Sequence, residues 1–281
     1  MYTIDDLRYL MKRLRDPQTG CPWDLKQTYK TIAPYTLEEV YEVIDTIERN
    51  DLSHLGEELG DLLFQVIFYS QLGAEQEVFD FDSVVHGIVE KLVRRHPHVF
   101  PLGTLKSERN LSDGAEGTVE EARIKHVWED LKKQERAEKG ERRTLDDIPM
   151  AMPALSRAQK LQKRAATTGF DWDNPEDVLS KVKEEVAELD VEIQANNSLA
   201  MEEELGDLLF SCVNLARHLK IDSERAMRLA NIKFQRRFEA MEVLASEKST
   251  LLLSEISVDE MELLWAQVKS AEKELKIELQ K

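Results

Sequence analysis

Apolar residues return every third or fourth position through most of this chain, the spacing of helices that turn one face toward a core. It predicts helices over roughly 36–49, 52–72, 79–94, 118–139, 151–167, 175–195, 198–219, 222–244 and 257–278, and no convincing strand. The clearest start is Asn174-Pro175-Glu176-Asp177: a capping residue, proline at the first helical position, and acids where the helix dipole favours them. Val178, Leu179, Val182, Val186, Leu189 and Ile193 then form one stripe. Thr36-Leu37-Glu38-Glu39 reads as a capping box ahead of Val40, Tyr41, Ile44 and Ile47. The fold class expected is all-α.

Residues 103–118 read as an exposed loop and 132–147 as a charge-rich connection ahead of Pro149. The division expected is an N-terminal helical domain over 1–140 with its connecting helix, and a C-terminal one over 147–281. The two are copies. Thr19-Gly20-Cys21-Pro22-Trp23-Asp24 answers Thr168-Gly169-Phe170-Asp171-Trp172-Asp173. Glu38-Glu39-x-x-Glu42 answers Glu184-Glu185-x-x-Glu188, and Glu58-Leu59-Gly60-Asp61-Leu62-Leu63-Phe64 answers Glu204-Leu205-Gly206-Asp207-Leu208-Leu209-Phe210. Lys91-x-x-Arg94-Arg95 pairs with Lys233-x-x-Arg236-Arg237, and Trp128-x-x-Leu131-Lys132-x-x-Glu135 with Trp265-x-x-Val268-Lys269-x-x-Glu272. Five elements in one order make the halves diverged duplicates.

The repeated acids carry the candidate chemistry. At 100° per residue, Glu185 falls about 20° from Val178 on the apolar stripe, so its carboxylate points toward a partner helix. Glu204 and Asp207 are i,i+3 neighbours, and Asp207 precedes Leu208, Leu209 and Phe210, which predicts apolar surroundings for it. Like charges so placed repel and need a cation. Antiparallel packing across Ala195-Asn196-Asn197-Ser198 would gather Glu185, Glu188, Glu204 and Asp207 into an all-oxygen cluster suited to Mg2+, with Mn2+ as the alternative. A di-iron bundle requires Glu-x-x-His pairs, and none of the six histidines has a glutamate three residues before it.

Composition narrows the partners. Of 281 residues 38 are Lys or Arg and 55 Asp or Glu, a net charge of −17 that opposes loose binding to nucleic acid or anionic membrane. Only 11 residues are glycine, and neither a G-x-G turn nor a phosphate loop occurs, so a phosphate must be held through something else. Cys21 and Cys212 form no C-x-x-C pair, which fits a reducing cytosol. The N-terminus lacks the order of a signal peptide, and the apolar run Leu62–Tyr69 is interrupted and too short to span a bilayer; a soluble, cytoplasmic protein is expected.

E-E-x-x-E followed by E-x-x-D on the next helix resembles the MazG family of all-α nucleoside triphosphate pyrophosphohydrolases. The likeness extends over essentially the whole chain: the tandem arrangement, G-C-P-W-D at 20–24, R-R-H-P-H-V-F at 94–100 and G-D-L-L-F in both halves. It implies a full-length bacterial member with tandem helical-bundle domains. The activity implied is Mg2+-dependent hydrolysis of ribo- and deoxyribonucleoside triphosphates to monophosphate and pyrophosphate, in a homodimer, with a role in nucleotide-pool cleaning or stress. By position, Glu185, Glu188, Glu204 and Asp207 are the implied metal ligands, and Glu39, Glu42, Glu58 and Asp61 their equivalents in a second candidate site. Lys181, Lys183, Glu184, Glu203, Lys233, Arg237 and Trp265 are the implied nucleotide-contacting set, with Glu184 and Glu203 the candidate general bases. Ala200 stands where some relatives are expected to carry a basic residue. The second half is favoured as the working one, because Lys181 and Lys183 precede its acids whereas Leu37 precedes those of the first. Two alternatives keep the nucleotide: a regulator that binds without hydrolysing it, and a pyrophosphohydrolase of narrow specificity, such as one for dUTP.

Overall fold

The computed structural model describes residues 1–108, 123–124, 127–131, 134–135, 140, 143–248 and 253–278. Among them every regular element is helical, and the chain divides into two compact units, Met1–Gln134 and Glu135–Lys281. The helix expected over 118–139 and the far end of the loop expected over 103–118 lie largely outside the described residues.

The first unit contains α1 (Ile4–Leu14), α2 (Pro22–Lys26), α3 (Tyr29–Glu48), α4 (Leu52–Glu75) and α5 (Phe81–Arg95). The first two were not expected from the periodicity. Thr3 caps α1 reciprocally with Asp6. α3 begins seven residues ahead of the box read at Thr36: the working cap is Thr28, paired reciprocally with Thr31. Thr36 lies inside the helix, where its hydroxyl donates to Ile32 O at 3.3 Å and meets Tyr69 Oη at 2.8 Å. Pro34 is also internal, removing one backbone donor from the ladder. α3 and α4 pack as an antiparallel hairpin, with α1 and α5 against α4. Met11, Ile32, Ile67, Phe68 and Leu72 form the core, bordered by Leu7, Tyr29, Phe64, Tyr69 and Phe81. Arg15 is buried at its edge, its guanidinium 5.4 Å from the Phe68 ring centroid and bidentate to Glu75 at 2.6 and 2.8 Å.

The second unit contains α6 (Ala154–Ala166), α7 (Pro175–Ala195), α8 (Ser198–His218), α9 (Ser223–Lys248) and α10 (Val258–Glu278). α7 starts as the sequence predicts: Asn174 Oδ1 accepts from Asp177 N at 2.9 Å with Pro175 at the first position. α7 and α8 form the antiparallel hairpin, α6 packs on α8, and α9 pairs with α10. Buried Gln162 on α6 donates to Phe210 O at 2.8 Å, tying the two helices by a bond that costs much to break once desolvated. Met241, Ala245, Leu264 and Val268 are the core between α9 and α10.

The turns of the two hairpins repeat. Asn50 and Asn196 both adopt the left-handed conformation, φ 58° and 54°, and the next residue in each case, Asp51 or Asn197, caps the second helix. Asparagine tolerates this conformation better than other residues bearing a Cβ. Both halves therefore reverse direction at the same point, which sets opposite one another the acids on the two arms.

Candidate active site

In the second unit the hairpin brings carboxylate oxygens of Glu185, Glu188 and Glu204 within 4.8 Å of one another. Glu185 sits on the buried face of α7 with Val178, only 5% exposed, as its angular position predicts. Asp207 is outside that trio but close enough to act on it. Partial burial, then the charges of Glu188, Glu185 and Asp207, raise the Glu204 carboxyl above its ordinary range. Asp207 itself is exposed, against the expectation of apolar surroundings. Its apolar neighbours follow it in sequence but point elsewhere around the helix, and Leu209 and Phe210 are themselves nearly half exposed.

Lys181 is the local cation. One turn before Glu185 on α7, its Nζ lies 2.6 Å from Glu184 Oε1, 2.9 Å from Glu185 Oε1 and 3.9 Å from Glu188 Oε2. These acceptors raise the Lys181 pKa above its usual value, the hydrogen bonds to Glu184 and Glu185 first among the causes. Lys183 and Glu203 are exposed, and Glu203 adds its charge to those raising Glu204.

The first unit repeats the trio with Glu39, Glu58 and Asp61, whose oxygens also converge within 4.8 Å. Burial, then Asp61 and Glu42, push the Glu39 carboxyl up; burial, Glu42 and Asp61 do the same to Glu58. Glu42 thus borders this cluster as Asp207 borders the other. The surroundings differ. Buried Gln65, on the same α4 face as Glu58 and Asp61, donates Nε2 to Glu39 Oε1 at 3.3 Å, and among the described residues no ion pair reaches the three acids. Gln65 was not singled out from the sequence, although its i, i+3, i+7 relation to Glu58 and Asp61 signals a shared face.

The remaining nucleotide candidates form a separate group on the α9/α10 pair. Arg237 Nε donates to Glu272 Oε2 at 2.8 Å, and its guanidinium lies 5.8 Å from the Trp265 ring centroid. Trp265 also meets Phe234 at 5.6 Å and borders the core there. Lys233 is exposed. Among the described residues no hydrogen bond or ion pair joins these three to the carboxylates. Glu272, which neutralises both Arg236 and Arg237, is a site neighbour the sequence reading did not assign.

A third group pins the Thr168–Asp173 loop. Asp171 accepts from Arg217 through both carboxylate oxygens and meets His218 Nε2 at 3.0 Å, while Arg217 Nη2 also donates to Asn214 Oδ1 at 2.8 Å. The hydrogen bond from Arg217 first, and then that with His218, lower the Asp171 pKa to about 2 against the opposing effect of burial. The aspartate in T-G-F-D-W-D was the available signal.

An all-carboxylate donor set of this size suits a hard divalent cation. Oxygens on opposite sides of Mg2+ stand about 4.2 Å apart, and the oxygens of each trio all lie within 4.8 Å of one another. Glu185, Glu188 and Glu204, with Asp207 beside them, thus have the chemistry to hold one ion without rebuilding the hairpin.

The chain is 47% identical over 277 residues to the nucleoside triphosphate pyrophosphohydrolase of Escherichia coli strain K12, covering 98% of this chain and 100% of that one. It is 39% identical over 269 residues to the Thermotoga maritima nucleoside triphosphate pyrophosphohydrolase/pyrophosphatase MazG, covering 96% of each. A Bacillus subtilis protein, uncharacterized protein YabN, is 40% identical over 273 residues, which are 97% of this chain and 53% of that protein. The MazG nucleotide pyrophosphohydrolase domain matches twice, over residues 27–100 and 173–242, and each match contains one carboxylate hairpin. The chain belongs to the MazG nucleotide pyrophosphohydrolase family, with two copies of its domain.

Proposed function

We propose that this protein hydrolyses nucleoside triphosphates to the monophosphate and pyrophosphate, with Mg2+ or Mn2+, at the second-unit cluster. The observation that carries the reading is the convergence of the Glu185, Glu188 and Glu204 carboxylates within a domain of this family, with the Lys181 ammonium against Glu185. Glu185, Glu188, Glu204 and Asp207 would hold the ion, which when bound supplies neutralisation of the triphosphate and a coordinated water of lowered pKa. Lys181 and Lys183 offer donors to phosphate oxygens. Lys233, Arg237 and Trp265 offer further cations and an indole face for phosphate and base or sugar. The water oxygen bonds to the α-phosphorus in line with the α–β bridging oxygen, whose bond breaks so that pyrophosphate leaves. Glu184 or Glu203 accepts the water's proton, and the corresponding glutamine variants separate their roles.

Several apolar side chains remain exposed on the hairpins, Val186, Ile193, Leu205 and Phe210 among them, each between 44% and 54% accessible. Faces of that kind favour burial in a homodimer, to be read from the mass in solution. A cytoplasmic setting suits two unpaired cysteines. Among the described residues no helix is long and apolar enough to cross a membrane.

Phosphorus NMR of the protein with Mg2+ and ATP or dTTP in 18O-water decides the reaction. Monophosphate carrying the label plus unlabelled pyrophosphate is the expected result. Orthophosphate plus diphosphate refutes attack at the α-phosphorus, and no product leaves a nucleotide-binding regulator. A panel of nucleotides, dUTP included, gives the breadth of specificity and tests a role in clearing the nucleotide pool.

A further inference from the structure

The two carboxylate hairpins are copies, yet among the described residues only the second has a cationic side chain paired with its acids. In the second unit Lys181 reaches Glu184, Glu185 and Glu188 at 2.6, 2.9 and 3.9 Å. At the same 146-residue offset that relates Glu39 to Glu185, the first unit has Tyr35 in place of Lys181. Its ring is engaged elsewhere, packed edge-on to Trp23 at 5.9 Å. What the first cluster has instead is Gln65, whose counterpart in the second is Ser211. Gln65 is 7% exposed, directs its amide into the cluster with Nε2 on Glu39, and leaves Oε1 buried with no partner among the described residues. His54, whose charge acts on Glu58, is bound to Asp51 Oδ2 at 2.8 Å.

We propose that Lys181 is an internal counter-ion that makes cation uptake at the second cluster depend on nucleotide, whereas the first cluster, lined by Gln65, takes a divalent cation by itself. A charged ammonium against Glu185 competes with an incoming Mg2+ both for the oxygens and by repulsion. A triphosphate removes the competition by offering Lys181 phosphate oxygens, so metal and nucleotide enter the second cluster together. Among the described residues the first cluster has no such occupant. An ion there gains three carboxylates, and the orphaned Gln65 Oε1 gains a water of that ion as a hydrogen-bond donor, relieving an acceptor that is costly to bury alone. Lys181 thereby acts as a positioning residue that orders the binding steps. The proposal rests on the reading of both clusters as cation sites.

Titration calorimetry of the full chain with Mn2+, first alone and then with a non-hydrolysable α,β-methylene triphosphate, tests it. Without nucleotide the wild type should take up one ion per chain, lost in Asp61→Asn and in Glu58→Gln but kept in Glu204→Gln. The second ion should appear with the analogue. Lys181→Met should take up two ions without nucleotide, its second cluster binding about tenfold or more tighter than in the wild type, while Lys181→Arg keeps the wild-type order. Asp61 is exposed and Lys181 only partly buried, so neither substitution removes a core contact. Two ions on the nucleotide-free wild type, an unchanged Lys181→Met, or a first ion that survives both Asp61→Asn and Glu58→Gln would overturn the proposal. Failure to release pyrophosphate with this binding pattern intact would instead sink the reaction and leave the counter-ion assignment standing.

Discussion

Arg217 holds Asp171 through both carboxylate oxygens, so the loop that enters α7 is fastened to the last turn of α8. The entry of one hairpin helix is thus clamped to the exit of the other. The Asp171 carboxyl, ordinarily near 3.8, lies at about 2 in the fold. A depressed folded value means that the contribution is fully present above the unfolded pKa and is lost as pH falls through the folded one. Asp171→Asn should therefore cost about 1–2 kcal/mol of unfolding free energy at pH 7, and the difference from wild type should vanish between about pH 4 and pH 2. Urea unfolding across that window reads it, and a constant difference down to pH 2 would refute the assignment.

Glu185 is buried in the second cluster and its counterpart Glu39 lies in the first, where the equivalent of Lys181 is a tyrosine. Glu185→Ala should abolish pyrophosphate release, a loss of at least about a thousandfold, if the residue holds the ion as proposed. Glu39→Ala should lower the rate far less. Equal losses would show that both halves turn over substrate.

Metal withdrawal gives a third check. With EDTA the release of pyrophosphate should stop, and Mg2+ or Mn2+ should restore it, because the donors are carboxylates without nitrogen or sulfur. Restoration by Zn2+ alone would contradict the hard-cation reading.

Phe68 is 1% exposed at the centre of the first core, edge-on to Phe64 at 6.1 Å and beneath Arg15. Phe68→Ala should destabilise the first unit by about 3–5 kcal/mol, visible as a lowered denaturation midpoint. Pyrophosphate release per folded molecule should change much less than the stability does.

Asn196 carries the left-handed turn between α7 and α8. Asn196→Gly should be tolerated, while Asn196→Val should cost about 1–2 kcal/mol, because a β-branched side chain is strained at φ 54°. A neutral valine would show that the turn relaxes to another conformation.

Much of this molecule is legible in its sequence because the signals are local. Asn174 and Pro175 announce α7, the period of Val178 places Glu185 inward, and the paired asparagines reverse the chain. The start of α3 differs from the expected one because Thr36, three residues before Glu39, has the spacing of a capping box, while the true box at Thr28 uses Thr31 rather than an acid at its third position. What sequence cannot supply is the direction of a long side chain. Lys181 has acids in reach on its own helix, and its choice of Glu184 and Glu185 is settled by rotamers and burial. Gln65 looks like a polar interruption of an apolar run until α3 packs against it and brings Glu39 to its amide. The exposure of Asp207 likewise depends on its radial direction around α8, not on the apolar residues that follow it in the chain.

The asparagine turn also works as a ruler. Outward from it each arm climbs about 1.5 Å and rotates about 100° per residue, so one residue inserted on either arm would swing its carboxylate to another face. Composition along the arms is comparatively unconstrained, since most substitutions leave this count untouched. That accounts for a contrast between the copies: the stretch from Glu39 to Glu58 differs at most positions from that between Glu185 and Glu204, while its length is the same.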